Sequence, residues 1–304
     1  MNLVVVGPGA IGCLFAGLMA EAGYGVQLLD KRTERADHIS KHGVRIEDVG
    51  GTRTIPVRNT TDAGGIGPAD AVFICVKAYD THSAIKTVLP ALRERTVVVS
   101  MQNGLGNLDE MSAIVHPDRL LAATTTAGAT YLGPGHIRYA GAGATTLAAV
   151  TPAGRPHASR MADILIGASI IASTAQDINA MLWSKLVINA AICPVSVVSG
   201  LTNDRILQSP KWSRLLFQAA GEAFAVAISK RIRLLYENPS QAVRDICANT
   251  AGNLSSMLQD YRRGKKTEIE AINGVIVREA AARGLPAPVN EQLYRQVLDM
   301  TAGR

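Results

Sequence analysis

The chain has 304 residues, of which 47% are apolar, 18% charged and 4% aromatic. This is an ordinary globular mix that argues for two packed domains and against disorder or a small disulfide scaffold. Four Phe, seven Tyr and two Trp make no base-stacking platform, so the formal charge of +6 is not read as a nucleic-acid footprint. The surplus lies wholly in the second half: residues 1–150 carry 13 Lys+Arg against 13 Asp+Glu, and residues 151–304 carry 18 against 12. That placement suits a field that attracts a small anion as well as it suits a solvated basic face.

Cys13, Cys75, Cys193 and Cys247 stand far apart without a C-x-x-C pair. Neither a zinc site nor a disulfide framework is expected, and a reducing cytoplasm fits best. Met1 to Val6 runs straight into glycines and reads as a first strand, not as a signal peptide. The longest apolar stretch, Leu186–Leu201, is interrupted by Asn189 and Pro194, so no membrane span is expected.

Taken in order, Leu3–Val6, Val26–Leu29, Ala71–Val76 and Val97–Ser100 are short β-branched runs of the kind that buried parallel strands need. Amphipathic stretches at Ile11–Ala22, Glu34–Lys41 and Thr81–Leu92 fall between them as crossover helices. Further strands are expected at Leu120–Thr126, His136–Tyr139 and Thr145–Val150, and a β-like run at Ser169–Ala172 closes the alternating region. Beyond it the pattern is helical, at Ala180–Ala191, Ser213–Leu234, Pro239–Leu258 and Thr267–Arg283. The fold class is therefore α/β, with a Rossmann-type, mostly parallel sheet in a dinucleotide domain of residues 1–175 and an all-helical domain of residues 176–304.

Gly7-Pro8-Gly9-Ala10-Ile11-Gly12 is a G-x-G-x-x-G between a strand and a helix. In that context the glycines allow a tight turn and close approach of a pyrophosphate, whose charge meets the helix N-terminus. Asp30, at the end of the second strand, stands where an acidic residue bonds the ribose 2'-OH of NAD(H). The adjacent Lys31 and Arg32 would instead hold the 2'-phosphate of NADP(H). The residues leave that choice open. Lys77 and Gln102-Asn103-Gly104 fall at the carboxyl ends of two strands, the edge at which open α/β sheets bind ligands, although a snorkelling lysine and a plain turn would look the same.

Lys185 and Asn189 sit four residues apart in an apolar helix, where an ammonium is costly unless paired or turned into a cleft. Thr267 with Glu270 matches a helix capping box; Glu268 has no such explanation and stays a candidate, although an acid in a first helical turn is favoured by the dipole in any case. No metal-ligand constellation is present.

Together these segments, with Asn253-x-Ser255-Ser256-Met257-Leu258-Gln259-Asp260, Pro194 and Thr267-Glu268-Ile269-x3-Asn273-Gly274, resemble the ketopantoate reductase (2-dehydropantoate 2-reductase) family over nearly the whole chain. The resemblance implies a helical C-terminal domain of the 6-phosphogluconate dehydrogenase type and an active site between the domains. It implies NADPH-dependent reduction of 2-dehydropantoate to (R)-pantoate, a step towards pantothenate and coenzyme A. Carried over by position, Lys185 is the general acid and Glu268 its partner. Asn103, Asn189, Asn203, Asn253 and Ser256 contact substrate, and Gly7–Gly12, Lys77, Asn103, Glu268 and Ala129 contact coenzyme. Cys193 departs from the family's asparagine there, so a paralogue reducing another 2-oxo acid is a second reading. A non-catalytic dinucleotide sensor is a third, opposed by the presence of both Lys185 and Glu268. The expected partner is a small anionic 2-oxo acid, with no nucleic acid or membrane, and a homodimer is left open.

Overall fold

A computed structural model describes residues 1–302. The main sheet is built from β1 (Asn2–Val6), β2 (Gly25–Leu29), β5 (Arg58–Thr60), β6 (Ala71–Ile74), β7 (Val97–Ser100), β8 (Leu120–Thr125), β11 (Thr145–Ala149) and β12 (Ala172–Thr174), in the order β12-β11-β8-β7-β6-β1-β2-β5. All neighbouring pairs are parallel except β11 with β8. Every residue of β6 and β7 is buried, as expected of central strands covered on both faces, and their continuous Ala-Val-Phe-Ile and Val-Val-Val runs are the reason.

A second sheet of four strands was not anticipated. It orders β4 (Gly51–Ile55), β3 (Val44–Asp48), β10 (His136–Gly141) and β9 (Gly128–Gly133), so the expected strand near His136 belongs here and not to the main sheet. β3 and β4 form a hairpin in which the Gly50 N–H donates to Asp48 Oδ1 at 2.9 Å, and β9 is weakly marked because glycine stands at both of its ends.

The helices of this region are α1 (Ala10–Glu21), α2 (Thr33–His42), α3 (Thr81–Val88), α4 (Asn107–Ser112) and α5 (Arg155–Gly167). One apolar core joins α1, α5 and the second sheet to one face of the main sheet, through Phe15, Met19, Ile46, Phe73, Ile137 and Leu165. A second core joins the opposite face to α3 and α4 through Ile85, Val88 and Met111.

The chain divides into two units. The first holds residues 1–102 and 106–178, and the second holds residues 103–105 together with the helical region from Asn179. The helices are α6 (Ile178–Ser199), α7 (Asn203–Gln208), α8 (Pro210–Ser229), α9 (Pro239–Asn249), α10 (Ser256–Arg262), α11 (Asn273–Ala281) and α12 (Pro288–Ala302), of which α7 and α12 were not anticipated. The expected helix Ala180–Ala191 lengthens to α6, and the other three change their bounds for identifiable reasons. The helix expected to reach Leu234 stops at Ser229 because Arg231 takes a left-handed φ of 59° and the Ile232 N–H turns back to Ala227 O at 3.1 Å. The helix expected over Pro239–Leu258 is two: between them the carbonyls of Ala251 and Asn253 accept the first N–H groups of α7, from Asp204 and Asn203, at 3.0 and 3.1 Å. The capping box at Thr267 is absent, because residues 267–272 form tight turns instead of a first helical turn, and the Glu270 carboxylate is taken by Arg278 at 3.2 Å and by Tyr294.

α6 is long and apolar enough to cross a membrane by length and composition, with a mean hydropathy of 1.7, yet 72% of that stretch is buried in protein packing. Pro194 lies inside it without breaking it. Proline has no N–H, so the carbonyl of Ala190 loses its helical donor, and Asn273 Nδ2 of α11 supplies the replacement at 2.8 Å. Asn290 Oδ1 accepts the other Nδ2 hydrogen of Asn273 at 3.0 Å and fixes the amide.

Candidate active site

In the first unit the glycine segment connects β1 to α1 at the carboxyl edge of the sheet. The Gly7 N–H donates to Leu29 O at 2.9 Å, which ties the loop to the end of β2. Gly7 has φ +97°, and a Cβ at Gly12 would stand 2.1 Å from Gly7 O, so α1 crosses the loop too closely for any side chain there. At Gly9 a Cβ would meet nothing within 4 Å, which leaves the loop open on that side. No side chain caps α1, and no acidic residue occupies its first turn. Its leading N–H groups and positive dipole end are thus left for an external anion, and a dinucleotide pyrophosphate fits this cradle.

Asp30 follows β2 and is only 3% exposed. Its carboxylate is gripped by Arg35 in a two-point bond, Nε to Oδ2 and Nη2 to Oδ1, each 2.6 Å, and Oδ1 also accepts the Arg32 N–H at 3.0 Å. Burial pulls against the charge of Arg35, but the bonds and charge of Asp30, with a contact to Tyr131, outweigh it and raise the guanidinium pKa above its ordinary value. Lys31 is exposed and paired with Asp80 at 2.8 Å, while the exposed Arg32 side chain has no hydrogen bond or ion pair among the described residues. Arg35 was not singled out from the sequence. The signal available was an arginine five residues after a strand-end acid, in the first turn of α2.

Lys77 stands just beyond β6, partly buried. Gln102, past β7, donates from Nε2 to Thr81 Oγ1 at 2.7 Å and accepts from Ser100 at 3.1 Å, and this polar knot secures the strand end to the start of α3. Ala129 pairs with Tyr139 across β9 and β10.

In the second unit Lys185, Asn189 and Cys193 follow one another at four-residue steps along one face of α6. Burial is the main influence on the Lys185 ammonium and pushes its pKa down to about 8, while the carboxylate of Glu268 draws it back upward. Glu268 is 5% exposed. Asn189 is partly buried, and its amide has no hydrogen-bond partner among the described residues. The turn carrying Glu268 is braced by residues 103–105: the Leu105 N–H donates to Ala271 O at 3.1 Å, and Gly104, at φ +80°, would place a Cβ 2.3 Å from that oxygen. Asn103 therefore begins a tripeptide packed beside the Glu268 turn.

Ser255 caps α10, its Oγ accepting the Leu258 N–H at 3.1 Å, and its hydroxyl meets that of Ser196, which donates to Cys193 O at 2.9 Å. This bond secures α10, with the exposed Ser256 at its first position, to the Cys193 turn of α6. The Asn253 side chain is exposed. Asn203 is 5% exposed and spends its Nδ2 on Thr250 at 2.7 Å, while its Oδ1 is buried without a partner. Of the expected substrate contacts, Asn189, Asn253 and Ser256 thus carry uncommitted polar groups, and Asn203 is half committed to holding α7.

Comparison with known proteins settles the family. Residues 3–152 match the model described as ketopantoate reductase PanE/ApbA, and residues 177–301 match its C-terminal counterpart. The chain belongs to the ketopantoate reductase family. A 2-dehydropantoate 2-reductase of Halobacterium salinarum is 31% identical over 290 residues, covering 95% of each chain. A crystal structure of a ketopantoate reductase from Ralstonia eutropha superposes with a TM-score of 0.90 at 31% identity, over 100% of this chain and 99% of that one. The fold is shared further: D-mandelate dehydrogenase with NADH and anilino(oxo)acetate reaches a TM-score of 0.93 at 21% identity, covering 100% and 99%. Ketopantoate reductases are dinucleotide-binding oxidoreductases acting on small 2-oxo acids, and the open glycine cradle and the Lys185 face fall within the two matched regions.

Proposed function

We propose that the chain reduces 2-dehydropantoate to (R)-pantoate with NADPH, using Lys185 as general acid. The observation that carries this reading is the ammonium of Lys185, partly buried in α6 under the charge of Glu268, one turn from the uncommitted amide of Asn189. When bound, the nicotinamide supplies a hydride to the keto carbon. The keto oxygen then gathers negative charge, and Lys185 delivers its proton to that oxygen, neutralising charge where it develops. A pKa of about 8 suits the task, since the group is largely protonated at neutral pH yet gives its proton up readily. Glu268 keeps the ammonium oriented, and Asn189, Asn253 and Ser256 supply donors and acceptors for the substrate's carboxylate and hydroxyl.

Initial rates of NADPH and NADH oxidation with 2-dehydropantoate test the reading. Lys185→Ala is expected to lower kcat by roughly 10² to 10⁴ while dinucleotide binding survives. Near-normal turnover in that variant would remove Lys185 from the role. One observation favours a second substrate: Cys193 puts a buried, weakly polar sulfur on the same face of α6 as Lys185 and Asn189. A higher kcat/KM for a 2-oxo acid lacking the 4-hydroxyl would move the assignment to that acid.

A further inference from the structure

We propose that Arg35 sets the coenzyme preference of the site by masking the charge of Asp30, so that a 2'-phosphate is accepted where a bare Asp30 would repel it. This rests on the dinucleotide reading above and specifies it. The strand-end acid of a dinucleotide fold ordinarily selects the unphosphorylated coenzyme by accepting from the ribose diol. Here that carboxylate is buried, and both its oxygens are engaged by one guanidinium at 2.6 Å, with a backbone N–H added to one of them. A fork-to-fork pair of this kind is geometrically closed and electrically neutral. The diol loses its acceptor, and the repulsion against a phosphate is cancelled.

The surrounding charges complete the argument. Lys31 is balanced by Asp80 at 2.8 Å, and Asp30 by Arg35, which leaves the exposed Arg32 guanidinium and the exposed Glu34 carboxylate outside these two pairs. With Arg35 in place the charges of this segment and Asp80 sum to zero; without it they sum to one negative charge, with a bare carboxylate at the end of β2. Arg35 is thus a positioning residue. It acts on the phosphate through Asp30, while Arg32 is the group that meets it. The contact between Arg35 and Tyr131 of β9 also holds the guanidinium and ties this corner to the second sheet.

The test is calorimetric binding of 2',5'-ADP and of ADP to the full-length protein, since these fragments carry or lack the phosphate and require no turnover. The wild type is expected to prefer 2',5'-ADP. Arg35→Gln should cut that preference by about tenfold or more, as an uncompensated charge a few ångströms away implies. Asp30→Asn/Arg35→Gln should restore it, and Arg32→Ala should weaken 2',5'-ADP alone. If Arg35→Gln fails to fold, Arg35→Lys, which keeps the charge, and the double variant carry the comparison. An unchanged preference in Arg35→Gln, or no recovery in the double variant, overturns the proposal while leaving the dinucleotide reading intact. A wild type that binds ADP as tightly as 2',5'-ADP overturns it equally, and one that binds neither removes the dinucleotide reading as well.

Discussion

Lys185 and Gly12 show what single residues contribute here. The general-acid role proposed for Lys185 has a definite sign with pH: its active form would be the ammonium, so kcat should be level below about pH 8 and fall about tenfold per unit above it. Lys185→Arg, which does not titrate in this range, should remove the fall, and a wild-type profile that stays flat to pH 10 would contradict the role. The same depression means that burying the ammonium costs stability below pH 8, and the cost is relieved as pH rises from about 8 towards the ordinary 10.5. Gly12→Ala brings a methyl group to 2.1 Å from Gly7 O, so it should abolish dinucleotide binding and lower thermal stability, both readable by calorimetry. The glycine loop was legible in the sequence because its chemistry is local. Arg35 was not, because its meaning depends on which way a guanidinium turns over a neighbouring strand end.

Among the elements, α6 is the most instructive. Its apolar length reads from the sequence as an interrupted segment, yet the helix continues through Pro194 because α11 provides a donor that the helix lacks. Asn273→Ala should therefore cost about 1–3 kcal/mol in urea unfolding, by leaving the Ala190 carbonyl buried and unpaired. In a Pro194→Ala background, where the backbone N–H is restored, the same change should cost measurably less, and strict additivity of the two would refute the link. Such a repair between distant segments leaves no periodic trace, which is why residue types and spacing alone did not disclose it. The split of the expected 239–258 helix has a similar origin, since the interruption serves the N-terminus of α7, more than 40 residues away in the chain.

At the scale of the molecule, the alternation of strand and helix and the later all-helical stretch were legible because parallel strands need unbroken apolar runs and helices need their own period. The second sheet was not, since its strands are largely exposed or half-buried and lack unbroken apolar runs, and β9 has glycine at both ends. The positive surplus confined to residues 151–304 yields a further prediction. If it steers an anionic 2-oxo acid, kcat/KM should fall about threefold or more between roughly 50 and 500 mM salt with kcat unchanged; equal sensitivity of both constants would speak against steering.

Residues 103–105 have a consequence for how such chains can be recombined. Three residues from within the first half belong structurally to the second unit, bonded to the turn that carries Glu268. A single crossover near residue 178 between two relatives would pair one parent's tripeptide with the other parent's turn. A Cβ on Gly104 would stand 2.3 Å from Ala271 O, so a side chain there is felt at once. Functional chimeras should accordingly inherit this tripeptide from the parent of their helical half, as a small insert that travels apart from its neighbours in the gene.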